Sequence, residues 1–177
     1  EMSLLNAVNR TADCTANDET ELLVLSAEDF HSLREKIPEF DDELRLMAKE
    51  RFEENITNIV SRLNQLGSRI CLMTYHSPIF ELYGTKRVAK LFEFMEIIRC
   101  VSRSEKTYLI DTLPLWENLR KKHPLIHKSL LLDEIHLNRL GNLLLGLIIT
   151  KVLSLNLLEQ DKKYWTSAQN IYNLATT

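Results

Sequence analysis

The chain has 177 residues, 45% of them apolar and 27% charged, with a net charge of -3. That length holds one ordinary domain or two small ones with a real core. The near-neutral balance of 22 basic and 25 acidic residues gives no reason to expect nucleic acid or an acidic membrane as partner.

In chain order, residues 1–12 read EMSLLNAVNRTA, an aliphatic segment ending beside Arg10 and Thr11. A helix start next to an arginine suits a phosphate, because backbone N–H groups and a guanidinium fork both favour an anion. A lone arginine is more often a solvated loop residue. The first residue is Glu1 and not Met, so the sequence is expected to begin inside a longer protein. Residues 21–26 (ELLVLS) read as a short strand. Ser26 then opens S-A-E-D, a capping oxygen followed three positions later by an acid, which predicts a helix over 27–36. From Phe40 to Leu66 the apolar residues recur in steps of three and four, giving a second helix closed by Gly67 in the left-handed region. Unbroken, it spans roughly 40 Å at about 1.5 Å per residue, and would link the two halves of the chain.

The texture then changes. Residues 70–74 (ICLMT) are continuously apolar, as for a strand buried on both faces. A loop through Pro78 and Gly84 precedes a helix over 87–102. Residues 108–111 (YLID) form a second buried strand, Pro114 opens a short helix, and a loop around Pro124 leads to Asp133. A last helix runs over 137–153. Alternation of strand and helix is the pattern of a helix-covered parallel sheet. The most apolar stretch, 140–155, is interrupted by Gly141, Asn142, Gly146 and Lys151 and is shorter than the ~20 residues a membrane span needs. It reads as a buried helix. The tail after Asn156 is polar and weakly patterned.

Cys14, Cys71 and Cys100 are odd in number, far apart and without CxxC spacing, which suggests neither zinc nor a redox pair. Cys71 and Cys100 lie in apolar runs and read as small buried thiols. With nothing at the start resembling a signal peptide, a reducing, cytoplasmic setting is the expectation.

Two stretches carry chemistry. Glu1, Ser3, Leu4, Leu5, Arg10, Thr11 and Ala12, followed by TELLVLSAEDFHSLREKIPEF, resemble the phosphate-binding cassette and closing helices of cyclic-nucleotide-binding domains. The resemblance covers about the first third of the chain, 1–54. It implies a partial β-roll with Glu1 on the ribose 2′-hydroxyl and Arg10 and Thr11 at the cyclic phosphate. The cassette glycine and the earlier barrel strands are absent.

Residues 130–146 read LLLDEIHLNRLGNLLLG. Asp133 and His136, three apart at a helix entry, are spaced so that the carboxylate accepts a hydrogen bond from one ring nitrogen and fixes the other as a base. Behind a YLIDTLPLW strand and helix, D-x-x-H-L-N-x-x-G-N resembles the final catalytic block of SGNH/GDSL hydrolases, over 55–156. That likeness implies a partial flavodoxin-like three-layer α/β fold, with Asp133 as orienting acid and His136 as general base of a Ser-His-Asp triad. The nucleophilic serine in its Gly-Asp-Ser setting and the oxyanion-hole residues are missing. Each lost oxyanion donor costs ~10²–10³ in turnover, so the chain alone is expected to be inactive. The alternative function is a cyclic-nucleotide sensor without catalysis. A cyclic nucleotide is the one ligand implied, with no metal and no other cofactor; the partners would be an ester substrate, a cyclic nucleotide or both. Oligomeric state is not legible.

Other residues read blandly. Ser77 sits in Y-H-S-P without a nucleophile elbow and reads as a loop serine. His123 and His127 flank Pro124, which argues against a helical metal pair and for loop histidines. Trp116 and Phe92 read as core. Arg120, Lys121 and Lys122 read as a solvated helix end.

Overall fold

The computed structural model describes residues 26–156 and 162–177. The expected strand over 21–26 and the candidate nucleotide ligands Glu1, Arg10 and Thr11 lie outside the described residues. The chain divides into two compact units, residues 1–50 and 51–177.

In the first unit, α1 (Ala27–Lys36) occupies the span that the capping pattern predicts. The Ser26 hydroxyl accepts from the Asp29 amide at 3.0 Å and satisfies one of the helix's unpaired donors. α2 (Pro38–Gln65) begins at Pro38, whose missing N–H costs nothing in a first turn. Asp41 holds both Arg34 and Arg45 at 2.5 Å. Burial raises the Asp41 carboxyl, but the two guanidinium groups together hold it below its ordinary value. Gly67 has φ 72°, the left-handed stop that the sequence predicts.

The second unit is mostly helical around a small mixed α/β element. β1 (Cys71–Met73) pairs in parallel with β2 (Tyr108–Ile110), Cys71 opposite Tyr108 and Met73 opposite Ile110. Between them run α3 (Phe80–Tyr83) and α4 (Thr85–Ser104), the long crossover a parallel pair needs. α5 (Leu113–Lys122), α6 (Pro124–Ser129), α7 (Arg139–Val152) and α8 (Lys162–Thr176) follow.

The core lies on both faces of this strand pair. Leu72 and Leu109 join Met95, Ile98, Phe52 and Ile56 in one cluster. Ile110, next along β2 and so on the opposite face, joins Trp116, Leu119, Leu144, Leu147 and Ile148 in the other. At the strand ends the Thr74 hydroxyl donates to Asp111 at 2.8 Å and accepts from the Thr112 amide at 2.9 Å. Arg99 braces Asp111 at 2.9 Å.

Five expectations are corrected. The strands are not buried throughout: Tyr108 is 66% exposed, and Cys71 and Met73 also face out. The described sheet has two strands, so each is an edge with flanks open to water. Cys71 and Cys100 are exposed thiols; on α4 the buried positions are Val88, Met95, Ile98, Val101 and Ser102, and residue 100 falls off that stripe. The stretch around Pro124 is helical, because proline suits a first turn, and His127 is a buried helix residue instead of a loop one. The tail contains α8, whose Ala168 and Ala175 are buried in the core beside Trp165, Ile171 and Tyr172. Arg120 is not merely solvated: it pairs with Glu117 at 2.9 Å and stacks 3.8 Å above the Phe80 ring.

Candidate active site

Asp133 and His136 lie in a tight turn between α6 and α7. Leu131 and Leu137 close its base as an antiparallel bridge, and the Leu132 amide donates to the His136 carbonyl at 2.7 Å. Both oxygens of the carboxylate are engaged. One oxygen of Asp133 accepts the Ile135 and His136 amides at 2.9 and 2.8 Å, and the other accepts Nδ1–H of His136 at 2.7 Å. The two backbone amides, then the ring bond, hold the Asp133 carboxyl down at about 2. It is therefore ionised at neutral pH and accepts only. In the neutral ring that fixes the His136 proton on Nδ1 and leaves Nε2 with a free lone pair. Among the described residues Nε2 has no partner. The His136 side chain is 72% exposed and that of Asp133 46%.

The residues after the pair explain their own spacing. The Asn138 side chain caps α7, accepting from the Leu140 and Gly141 amides at 2.9 and 3.0 Å, and donates to the Ser129 carbonyl at 2.7 Å. A Cβ at Gly141 would overlap the Leu130 carbonyl oxygen and sit 3.0 Å from Leu137 Cδ2. Only glycine lets α7 start this close to the turn. The Asn142 amide donates to the Leu137 and Asn138 carbonyls at 3.2 and 3.0 Å. Asn138, Gly141 and Asn142 thus build the platform on which the pair stands.

The turn is fastened from below by the segment after β1. The Ile79 amide donates to the Glu134 carbonyl at 2.9 Å. His76 Nε2 meets the Ile135 carbonyl at 2.6 Å. A carbonyl only accepts, so His76 carries its proton on Nε2. The ring is 4% exposed, stacked on Tyr75 at 4.1 Å and tilted against Trp116 at 5.2 Å. Burial lowers the His76 imidazole to about 4, against the opposing Ile135 bond, so it is neutral at physiological pH. Burial also raises the Tyr75 phenol, with Tyr83 and Asp133 adding to the effect.

Ser77 is an unsuitable nucleophile in this arrangement. It is fully buried and donates to Glu117 at 2.5 Å, while its carbonyl accepts from His127 Nε2 at 2.9 Å. Burial raises the Glu117 carboxyl, but Arg120, Ser77 and Lys121 together pull it below its ordinary value. Ser77 therefore ends in an ion-paired carboxylate and not in a base. His123 precedes α6, and its carbonyl accepts from the His127 amide at 2.9 Å. No cluster of three histidine, cysteine or acidic residues able to hold a metal occurs among the described residues, and no helix among them is long and apolar enough to cross a membrane.

The sequence directs attention to Asp133 and His136, and the structure brings them into direct hydrogen bond. It passes over His76, which enters the reading only as a neighbour of Ser77. The available signal was a histidine directly after an apolar strand, a position that a parallel sheet puts at its carboxyl edge. No family model, curated protein or solved structure matches the chain.

Proposed function

We propose that this chain is the acid–base portion of an SGNH/GDSL-type serine ester hydrolase, with β1, α4 and β2 as part of its flavodoxin-like sheet and a cyclic-nucleotide-binding segment ahead of it. One observation supports the reading above all: an ionised carboxylate holds Nδ1–H of His136 at 2.7 Å, on an exposed side chain whose Nε2 has no partner among the described residues.

In the proposed reaction, Nε2 takes the hydroxyl proton of a serine as that oxygen bonds to an ester carbonyl carbon. Asp133 stabilises the imidazolium. The tetrahedral adduct collapses, its C–O bond to the alcohol breaks, and His136 returns the proton to the departing alkoxide. Water then repeats the sequence on the acyl-serine and releases the acid. The serine and the oxyanion donors come from outside these 177 residues, which hold no Gly-Asp-Ser and whose Ser77 is committed to Glu117. By the sequence resemblance, Glu1, Arg10 and Thr11 hold a cyclic nucleotide that regulates the hydrolase. Calorimetry with cyclic AMP tests that half, and equal heats for wild type and Arg10→Ala exclude it.

A fluorophosphonate probe tests the catalytic half. This chain alone takes no adduct. The longer product of the same gene is labelled on a serine outside it, and His136→Ala abolishes labelling while His123→Ala retains it. Absence of any adduct in the longer product overturns the hydrolase.

A further inference from the structure

Several features carry nothing further. The open groove beside Pro114, Asn118 and Thr176 has Glu117 and Lys121 in its lining, and that carboxylate is already engaged by Arg120 and Lys121. Ile59 and Leu63 on α2, and Leu66 just past its end, are exposed, with nothing to define what covers them. Cys71 and Cys100 are single exposed thiols. The histidine beneath the turn carries more.

We infer that His76 is a positioning residue, whose Nε2–H bond to the Ile135 carbonyl holds the Asp133–His136 turn in the geometry that keeps His136 Nε2 free. This rests on the reading of Asp133 and His136 as an acid–base pair. The bond lies inside the motif, on the peptide group joining Ile135 to His136. The N–H of that same peptide unit is the His136 amide, which donates to Asp133. A pull on its carbonyl therefore orients its N–H toward the carboxylate, because the peptide is planar. The Ile135 N–H, one unit earlier, reaches the same carboxylate oxygen. With both amides aimed at one oxygen of Asp133, the other is left for the ring.

The turn itself is exposed, and an exposed hydrogen-bonded turn opens readily. Among the described residues, two hydrogen bonds tie it to the segment after β1: Ile79 N–H to Glu134 and His76 to Ile135. The first is backbone. The second is a side chain, itself wedged between Tyr75 and Trp116, and so is the one that substitution removes cleanly. A neutral imidazole suits the task, since it donates one bond to a carbonyl without burying a charge.

The test uses nitrogen-15 NMR of the 177-residue chain at pH 8. In wild type, His76 shows the Nε2–H tautomer with a solvent-protected ring proton, and His136 shows Nδ1–H with a bare Nε2. His76→Phe keeps the ring but removes the donor. The His136 ring then moves to a mixture of tautomers, and the Ile135 and His136 amides exchange about tenfold faster or more. His76→Gln, with an amide N–H at similar reach, restores both signatures. A folded His76→Phe chain with an unchanged His136 ring overturns the inference. So does a wild-type His76 in the Nδ1–H form, which decides the matter even if His76→Phe fails to fold. Absence of fluorophosphonate labelling removes the hydrolase reading but leaves these ring signatures standing, so the two failures are distinguishable.

Discussion

The turn at residues 131–137 and the segment at 74–79 each present a histidine through a short hydrogen bond, and they put it to opposite uses. His136 stands in water, is bonded through Nδ1 to a carboxylate, and keeps Nε2 open. His76 is enclosed by Tyr75 and Trp116, is bonded through Nε2 to a carbonyl, and stays neutral well into acid. Partner and burial, not residue type, decide what an imidazole does. An acid partner and solvent leave a lone pair for proton transfer, whereas a carbonyl partner and an apolar wall make a structural donor. His127 repeats the second pattern, fully buried with Nε2 on the Ser77 carbonyl.

The largest way to break the contrast is to remove the wall. Trp116 is fully buried and touches the rings of both His76 and His127. Trp116→Ala opens a cavity there and costs about 4 kcal/mol. Urea unfolding at pH 7 measures it. Among the described residues the indole N–H has no partner, so Trp116→Phe loses much less than the alanine variant. Equal losses would put the stabilisation somewhere other than ring packing.

Acid comes next. The unfolded His76 ring takes its proton near 6.5, the folded ring only at about 4. Between those values the unfolded chain holds more protons, so stability falls as pH falls, by on the order of 3 kcal/mol across the window. Tyr75, His127 and His136 are titratable groups that act on or stack against this ring. Burial lowers His127 as well, which adds to the slope in the same direction. Asp133, held down at about 2, contributes stability above its unfolded value that is lost only at still lower pH. Denaturant midpoints at pH 7 and pH 4.5 measure the slope, and His76→Gln flattens it. An unchanged slope in that variant would assign the titration to another group.

Much of this contrast was legible beforehand, and unevenly. Ser26 with Asp29, the three-and-four spacing through α2, and Gly67 are local signals, and each falls where the local rule puts it. The Asp133–His136 bond is local too, formed within one turn of chain. His76 was hidden because its partner is 59 residues away, and no spacing rule reports a contact made by tertiary packing. The same limit hid α8. Its buried positions include two alanines, too small to stand out in an apolar pattern until α7 is seen beside them. The exposed thiols failed for a third reason: local apolarity does not say which side of a helix or an edge strand meets water.

The smallest effect sharpens the comparison from the side of the exposed turn. Gly141 sits at the start of α7 against the carbonyl of Leu130, and that residue's amide and carbonyl also tie α6 to the turn. Alanine there meets a backbone oxygen, which cannot swing aside as a side chain would, and Leu137 blocks the alternative route. The start of α7 must shift, at a cost of about 2 kcal/mol, slightly offset by alanine's better helix propensity. Because Asn138 and Leu137 move with it, the Ile135 and His136 amides exchange faster while the His76 ring proton stays protected. Amide exchange read beside the ring resonances tests this directly. If the buried ring loses protection in step with the turn, the two regions open as one unit, and the division between an exposed base and a buried strut fails.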